Sequence, residues 1–246
     1  NLGPSEEEVN PIISFLSAGK FNEALERVTT LSQKYPNESL LINISGVCYQ
    51  GLGKLETSVE FYRKAIKIDS GYYKAHFNLG GAYQALGMQN DAIKSYKSTL
   101  SLIPDYVEAH NNIGSLYKEL NQFDNAIESF RKAIKINPDY FEAHYNLGIV
   151  FQDLNNSEEA IKSFQRVLVI KPDFVELHNN LGVIYKEIDE IDSALECFEN
   201  AVRIMPEFAE AHNNLGIIHN DLGQFNEALK SYETAITINP NYSEAH

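Results

Sequence analysis

Six glycines, Gly46, Gly80, Gly114, Gly148, Gly182 and Gly216, stand 34 residues apart. Two further series keep the same period. One is small: Ala24, Ala92, Ala126, Ala160, Ala194 and Ala228, with Ser58 filling the gap. The other is aromatic: Tyr62, Tyr96, Phe130, Phe164, Phe198 and Tyr232. Three chemically different series in one phase make the chain an array of identical folding units. That excludes any fold without an internal repeat.

Each unit reads as two amphipathic helices. In 141–172, Phe141, His144, Leu147, Gly148 and Phe151 recur at helical spacing. A turn follows at Asn155 and Asn156. Ala160, Ile161, Phe164, Val167 and Leu168 then form a second apolar stripe, which Pro172 ends. Such stripes are buried against neighbouring helices. The turn position carries Gly19, Gly53, Gly87, Asn121, Asn155, Asp189 and Gly223, residue types that tolerate the left-handed conformation of a helix C-terminus. Pro36, Pro104, Pro138, Pro172, Pro206 and Pro240 close the second helices. The small residues let the paired helices approach, and the aromatic fills the space beside that contact. A core of this kind is one repeat thick, so every unit needs its neighbours.

The pattern resembles the tetratricopeptide-repeat (TPR) family over residues 5–242. In family phase the units are 5–38, 39–72, 73–106, 107–140, 141–174, 175–208 and 209–242. The implied fold is all-α, a right-handed superhelical solenoid of seven helix–turn–helix repeats in one array, without strands. The first unit departs from the pattern, with Ile12 in place of glycine. Its Ser5-Glu6-Glu7-Glu8 start reads as a capping box. The last four residues, Ser243-Glu244-Ala245-His246, open a further repeat, so the sequence reads as a module cut from a longer protein.

Charge narrows the partners. Twenty basic residues stand against 34 acidic ones, a net charge of −14. Nucleic acids and anionic membranes need a basic face, so neither is expected. No apolar run approaches a membrane span. The two cysteines, Cys48 and Cys197, lie far apart in a solenoid and read as free thiols, which fits an intracellular, cytoplasmic setting.

No motif of enzymatic chemistry is present, and no catalytic residue, metal or cofactor is expected. His76, His110, His144, His178, His212 and His246 share the fourth position of their repeats. Ligands to one metal converge within about 2 Å of it, whereas equivalent atoms in stacked repeats sit roughly 8–10 Å apart. These histidines, and His219, therefore read as packing residues.

The sixth position reads Asn78, Asn112, Asn146, Asn180 and Asn214. In the family this position faces the groove formed by the first helices. A file of amides there suits the backbone of an extended peptide, since an amide both donates and accepts. An alternative stays open, that these side chains bond the neighbouring helix instead. The fifth-position residues Phe77, Asn111, Tyr145, Asn179 and Asn213 join them as candidate contacts.

The run AHNNLG at 109–114 and 211–216 is most similar to the TPR half of the protein O-linked N-acetylglucosamine transferases and their prokaryotic relatives. That resemblance implies an asparagine ladder for a substrate polypeptide. The second unit departs from it, with Ile44 at the sixth position. The catalytic half of those enzymes has no counterpart in this sequence. The carboxylate clamp of chaperone co-factors, a lysine at position five and an asparagine at position nine, is missing.

Family positions two, twelve and thirteen should lie at the groove. From the fourth unit on they hold Glu108, Lys118, Glu119, Glu142, Gln152, Asp153, Glu176, Lys186, Glu187, Glu210, Asn220 and Asp221. In the two units before, they hold Leu40, Gln50, Gly51, Lys74, Gln84 and Ala85. The expected partner is a protein or extended peptide, basic at one end. The apolar stripe of the last helix, Phe225 to Ile238, also suggests weak self-association through the C-terminal end, or a scaffold that assembles by its own surfaces.

Overall fold

Seven short turns set the architecture. In the computed structural model, which describes residues 3–240, the turn residue of every repeat takes a positive φ. The values run from 54° at Asn155 to 73° at Gly53 and Gly223. The amide after each of these residues reaches back five residues. Lys20 N donates to the Phe15 carbonyl at 2.8 Å, and Asn156 N to that of Phe151 at 2.8 Å. This is the Schellman closure, which satisfies carbonyls orphaned at a helix end.

The turns join fourteen helices, in pairs, among the described residues. They are α1 Glu6–Ser17 with α2 Phe21–Lys34, α3 Ser39–Gly51 with α4 Leu55–Ile68, and α5 Tyr73–Ala85 with α6 Gln89–Leu102. α7 Val107–Glu119 follows with α8 Phe123–Ile136, then α9 Phe141–Asp153 with α10 Ser157–Ile170. The last are α11 Val175–Glu187 with α12 Ile191–Ile204, and α13 Ala209–Asp221 with α14 Phe225–Ile238. No strand occurs among the described residues. The expected all-α array of seven helix–turn–helix repeats is the fold found. The further repeat expected from 243–246, and His246 with it, lies outside the described residues.

The chain divides into two compact units. Asn1–Pro138 holds α1 to α8, and Asp139–His246 holds α9 to α14. Within the first, the helices of each repeat pack together, and α2 on α3, α4 on α5 and α6 on α7 join the repeats. Within the second, α10 on α11 and α12 on α13 do the same.

Inside each repeat the ring at position 24 lies directly on the glycine at position eight. A Cβ on Gly114 would stand 2.6 Å from Phe130, and one on Gly148 2.5 Å from Phe164. Tyr62, Tyr96, Phe130, Phe164 and Phe198 are all fully or almost fully buried. The first repeat inverts the pair. Ile12 replaces the glycine and Val28 the ring, and both are buried. The larger side chain at position eight is accompanied by a smaller one at position 24, the direction of change that close packing requires.

The capping box at α1 is formed. Ser5 Oγ accepts from Glu8 N at 3.3 Å, and Ser5 N donates to Glu8 Oε2 at 3.0 Å. Lys34 Nζ also donates to Glu8 Oε1, at 2.7 Å. The Lys34 ammonium, with the Ser5 amide behind it, holds the Glu8 carboxyl down at about 2. A depressed carboxyl stabilises above its unfolded value and loses that contribution as pH falls through the folded one. Hydrogen exchange should therefore show α1 loosening as the pH falls from about 4.5 toward about 2; unchanged protection of α1 across that window would contradict the latch.

The ring-on-glycine contact predicts opposite outcomes at two helical glycines. Gly148→Ala should lower stability by about 1–3 kcal/mol, because the Phe164 ring has nowhere to go. Gly81→Ala meets nothing closer than 3.7 Å. It should be neutral or stabilising by about 0.5–1 kcal/mol, the usual helix-interior preference for alanine. Thermal unfolding followed by circular dichroism compares the two.

Candidate peptide-binding surface

The candidate residues lie on the first helix of each repeat, at the fifth and sixth residues from its start. Successive residues on a helix point about 100° apart, so the two positions have different surroundings. The fifth-position asparagines Asn43, Asn111, Asn179 and Asn213 are buried. Of the sixth-position residues, Asn78, Asn112, Asn146 and Asn214 are half-buried and Asn180 is exposed.

Buried fifth and half-buried sixth positions meet between repeats. In the first unit, Asn78 Nδ2 donates to Asn43 Oδ1 at 3.0 Å. In the second, Asn214 Nδ2 donates to Asn179 Oδ1 at 2.9 Å. Asn179 Nδ2 donates in turn to Glu210 Oε1 at 3.0 Å. The Asn112 side chain hydrogen-bonds the Tyr96 hydroxyl. Asn180 makes no hydrogen bond among the described residues. Asn213 is almost completely buried, and its Oδ1 has no partner.

Where the fifth position is aromatic it joins a ring cluster. Phe77 lies 5.3 Å from Tyr96 and 4.9 Å from Tyr106, centre to centre. Tyr145 lies 5.8 Å from Phe164 and 5.7 Å from Phe174. Both stay half-buried, with part of the ring accessible. Two residues expected at the groove have an internal task instead. Gln50 Oε1 accepts from the Tyr62 hydroxyl at 2.7 Å, and Gln84 Oε1 from that of Tyr96 at 3.2 Å. Their pairing follows a simple signal, a glutamine twelve residues before a tyrosine rather than a phenylalanine.

The acids of the first helices stand largely alone. Glu108, Glu119, Asp153, Glu176, Glu187, Glu210 and Asp221 are exposed and Glu142 is half-buried. None forms a salt bridge with a described residue. The salt bridges lie elsewhere: Lys94 with Asp91, Lys132 with Glu128, and Lys162 with Glu158 and Glu159 within second helices, Arg166 of α10 with Asp139 in the loop before α9, and Lys34 with Glu8 in the first repeat. Like charges left unpaired on one side of a molecule raise its local potential and attract cations.

The histidines tie the repeats together. The Nε2 of His110, His178 and His212 lies 2.9 Å from the carbonyl of Pro104, Pro172 and Pro206 respectively. His76 makes the same contact to Ser70 at 3.1 Å. Each joins the start of one repeat to the loop that closes the previous one, rather than packing within its own repeat. No cluster of metal-binding side chains occurs among the described residues. Nor is any described helix long and apolar enough to cross a membrane. Cys48 and Cys197 are free and buried.

Family models described as TPR repeat match residues 49–87, 114–155 and 184–223. Others described as tetratricopeptide repeat match 73–106, 141–174 and 209–242. No curated protein matches the chain by sequence. Among solved structures, MamA is 27% identical over 67% of this chain and 96% of its own, with a TM-score of 0.62. The C-terminal part of a TPR repeat-containing protein from Cytophaga hutchinsonii covers 96% of this chain and 97% of its own. Its TM-score is 0.80 at 18% identity. YrrB, described as a TPR protein with an unusual peptide-binding site, is 22% identical over 75% of this chain and 95% of its own, with a TM-score of 0.61. The last two likenesses are of fold alone.

Burial pushes the thiols up, to about 11 at Cys48 and about 12 at Cys197. The thiolate is the reactive form, so both should resist iodoacetamide at neutral pH in the native protein. Both should react readily in denaturant, roughly tenfold faster or more. Rapid labelling of the folded chain, read by mass spectrometry, would contradict the assigned burial.

Proposed function

From the premise that this chain belongs to the tetratricopeptide-repeat family, all-helical scaffolds of protein–protein interaction, we propose that it is a recruiting module that holds an extended polypeptide. Within the second unit the segment lies along the first helices, over Asn146, Asn180 and Asn214, and its basic residues meet the acids there; within the first unit Asn78 and Asn112 occupy the equivalent positions. The observation that carries this reading is the division of charge. Lys94, Lys132, Lys162 and Arg166 pair with acids outside the first helices, while the acids of α7, α9, α11 and α13 have no ionic partner among the described residues; Glu8 of α1, bridged to Lys34, is set apart from them.

The asparagines contribute unequally. Asn180 is exposed and has no internal duty among the described residues, so its amide is available to peptide backbone groups. Asn112 is shared with the Tyr96 hydroxyl. Asn78 and Asn214 each spend one N–H on the neighbouring repeat and keep the carbonyl. Phe77 and Tyr145 offer ring surface, and the buried Asn111, Asn179 and Asn213 support from beneath. This retains one element of the likeness to the glycosyltransferase TPR half, the gripping of a substrate polypeptide, and assigns no catalytic step.

A second reading, weak self-association through α14, is favoured by one observation. Leu229 is 58% exposed and Phe225 69%. Of the equivalent residues in the other repeats, Val59, Ile93 and Ile161 are buried and Leu25, Ile127 and Leu195 half-buried. Concentration-dependent sedimentation that disappears in Leu229→Glu is the expected result. A strictly monomeric chain at high concentration would remove this reading.

A peptide selected from a random library against the chain provides the probe for the leading reading. Its sequence should be rich in lysine or arginine, and its affinity should fall with added salt, since exposed charges are screened. Asn180→Ala should weaken it by about 0.5–1.5 kcal/mol, one net hydrogen bond, with the melting temperature unchanged. Salt-independent binding, or full affinity in Asn180→Ala, would sink the proposal.

A further inference from the structure

An asparagine side chain is nearly symmetric in shape but not in polarity. One end donates and the other accepts, and shape alone does not decide which way it turns. A neighbour that can only accept removes the ambiguity. Glu210, when ionised, is such a neighbour. Asn179 Nδ2 faces its Oε1 at 3.0 Å, so Asn179 Oδ1 must point the other way. There it receives Asn214 Nδ2 at 2.9 Å. Turning Asn214 over would set two carbonyl oxygens against each other. Turning Asn179 over would set its carbonyl against a carboxylate. Asn179 is 1% exposed, so its amide has to find its partners within the protein.

We propose that Glu210, Asn179 and Asn214 form a polarity relay, in which the carboxylate dictates that the Asn214 rung presents its carbonyl oxygen to a bound peptide. The site so built reads main-chain N–H groups, and a proline or N-methylated residue cannot occupy the peptide position above it. Asn179 is the positioning residue of this relay and touches no ligand. The inference rests on the peptide-holding reading given above. Two internal comparisons bear on it. Asn78 and Asn43 form the same pair, but the residue equivalent to Glu210 there is Lys74, and no bond joins it to Asn43. Asn180 follows the aromatic Tyr145 in place of a buried asparagine, makes no such bond and is exposed, so it is able to offer either end. Asn214 is therefore a rung of fixed polarity, and Asn180 an adaptable one.

The relay predicts that charge reversal inverts the rung. Lysine only donates, so in Glu210→Lys the buried Asn179 turns its Oδ1 toward the ammonium, and Asn214 turns its Nδ2 outward. Glu210→Gln, able to accept or donate, relaxes the preference without reversing it.

Two readouts test this. In the full-length 15N-labelled chain, the Asn214 side-chain NH2 resonances should move on Glu210→Lys and move less on Glu210→Gln. Each backbone N–H of the library-selected peptide is then methylated in turn. One position should lose roughly tenfold in affinity for the wild-type chain, about the loss of one hydrogen bond to an oriented acceptor. That penalty should vanish in Glu210→Lys. Comparing methylated with unmethylated peptide on each protein cancels the general effect of the added charge.

An N-methyl penalty of equal size on both proteins, or unchanged Asn214 resonances, overturns the relay. If no peptide binds, the reading of the surface and this ligand preference both fall. The Asn214 resonances still decide whether the relay exists. Asn179→Asp, which keeps an acceptor for Asn214, should preserve the Asn214 resonances better than Asn179→Leu. Equal effects of the two would mean that Asn179 only fills space.

Discussion

The contact on which six of the seven repeats depend is a ring packed on a glycine. With the ring of Phe164 set where a Cβ of residue 148 would crowd it, the backbone of the first helix comes close to a large side chain of the second. The alanine at position 20 lies in the same seam and is buried in every repeat that has one. Dispersion energy falls steeply with a gap and repulsion rises steeply with an overlap, so the seam admits few alternatives. The first repeat has one of them. Ile12 and Val28 exchange the large and small partners and keep the space filled.

A repeat built this way is stable only when its faces are covered, and polar bonds decide how they are covered. Apolar surfaces slide at little cost. The histidine-to-carbonyl bonds at the loops and the asparagine pairs at the first helices do not slide, because a buried polar group without its partner is costly. At two interfaces a residue from one second helix also meets the tyrosine of the next first helix. Lys97 bonds the Tyr117 hydroxyl at 2.9 Å and Gln165 that of Tyr185 at 2.8 Å. Register between repeats is thus held by different polar contacts at different interfaces.

The same economy shapes the binding surface. An amide has more hydrogen-bonding capacity than one contact uses, so Asn214 can support the stack and still face a peptide. That sharing explains why a file of asparagines is not a file of equivalent sites. What each one offers depends on the residue beneath it, an asparagine under Asn214 and a tyrosine under Asn180. Charge follows a parallel division. Lys94, Lys132 and Lys162 are paired within their own helices, while the acids of α7, α9, α11 and α13 are not paired with any described residue, and an unpaired charge is what long-range attraction of a partner requires.

Much of this protein was legible in its sequence because a 34-residue period is a statement about packing. Gly148, Ala160 and Phe164 have spacing that only paired helices satisfy, and Asn155 and Pro172 mark where those helices stop. Helix boundaries, turn conformation and the capping box at Ser5 follow from local chemistry, which the chain carries within itself. The sequence could also place the asparagines at equivalent positions of the first helices, since the period fixes position in a repeat. It could not apportion them. Whether Asn180 is free, Asn214 tied and Asn213 buried with its carbonyl unmet depends on what the next repeat brings within about 3 Å. The tying of Gln50 and Gln84 to tyrosine hydroxyls, and of His110 to the loop before it, has the same origin. Hydrogen bonds are decided by distance and direction between separate helices, and a one-dimensional pattern carries neither until the helices have packed.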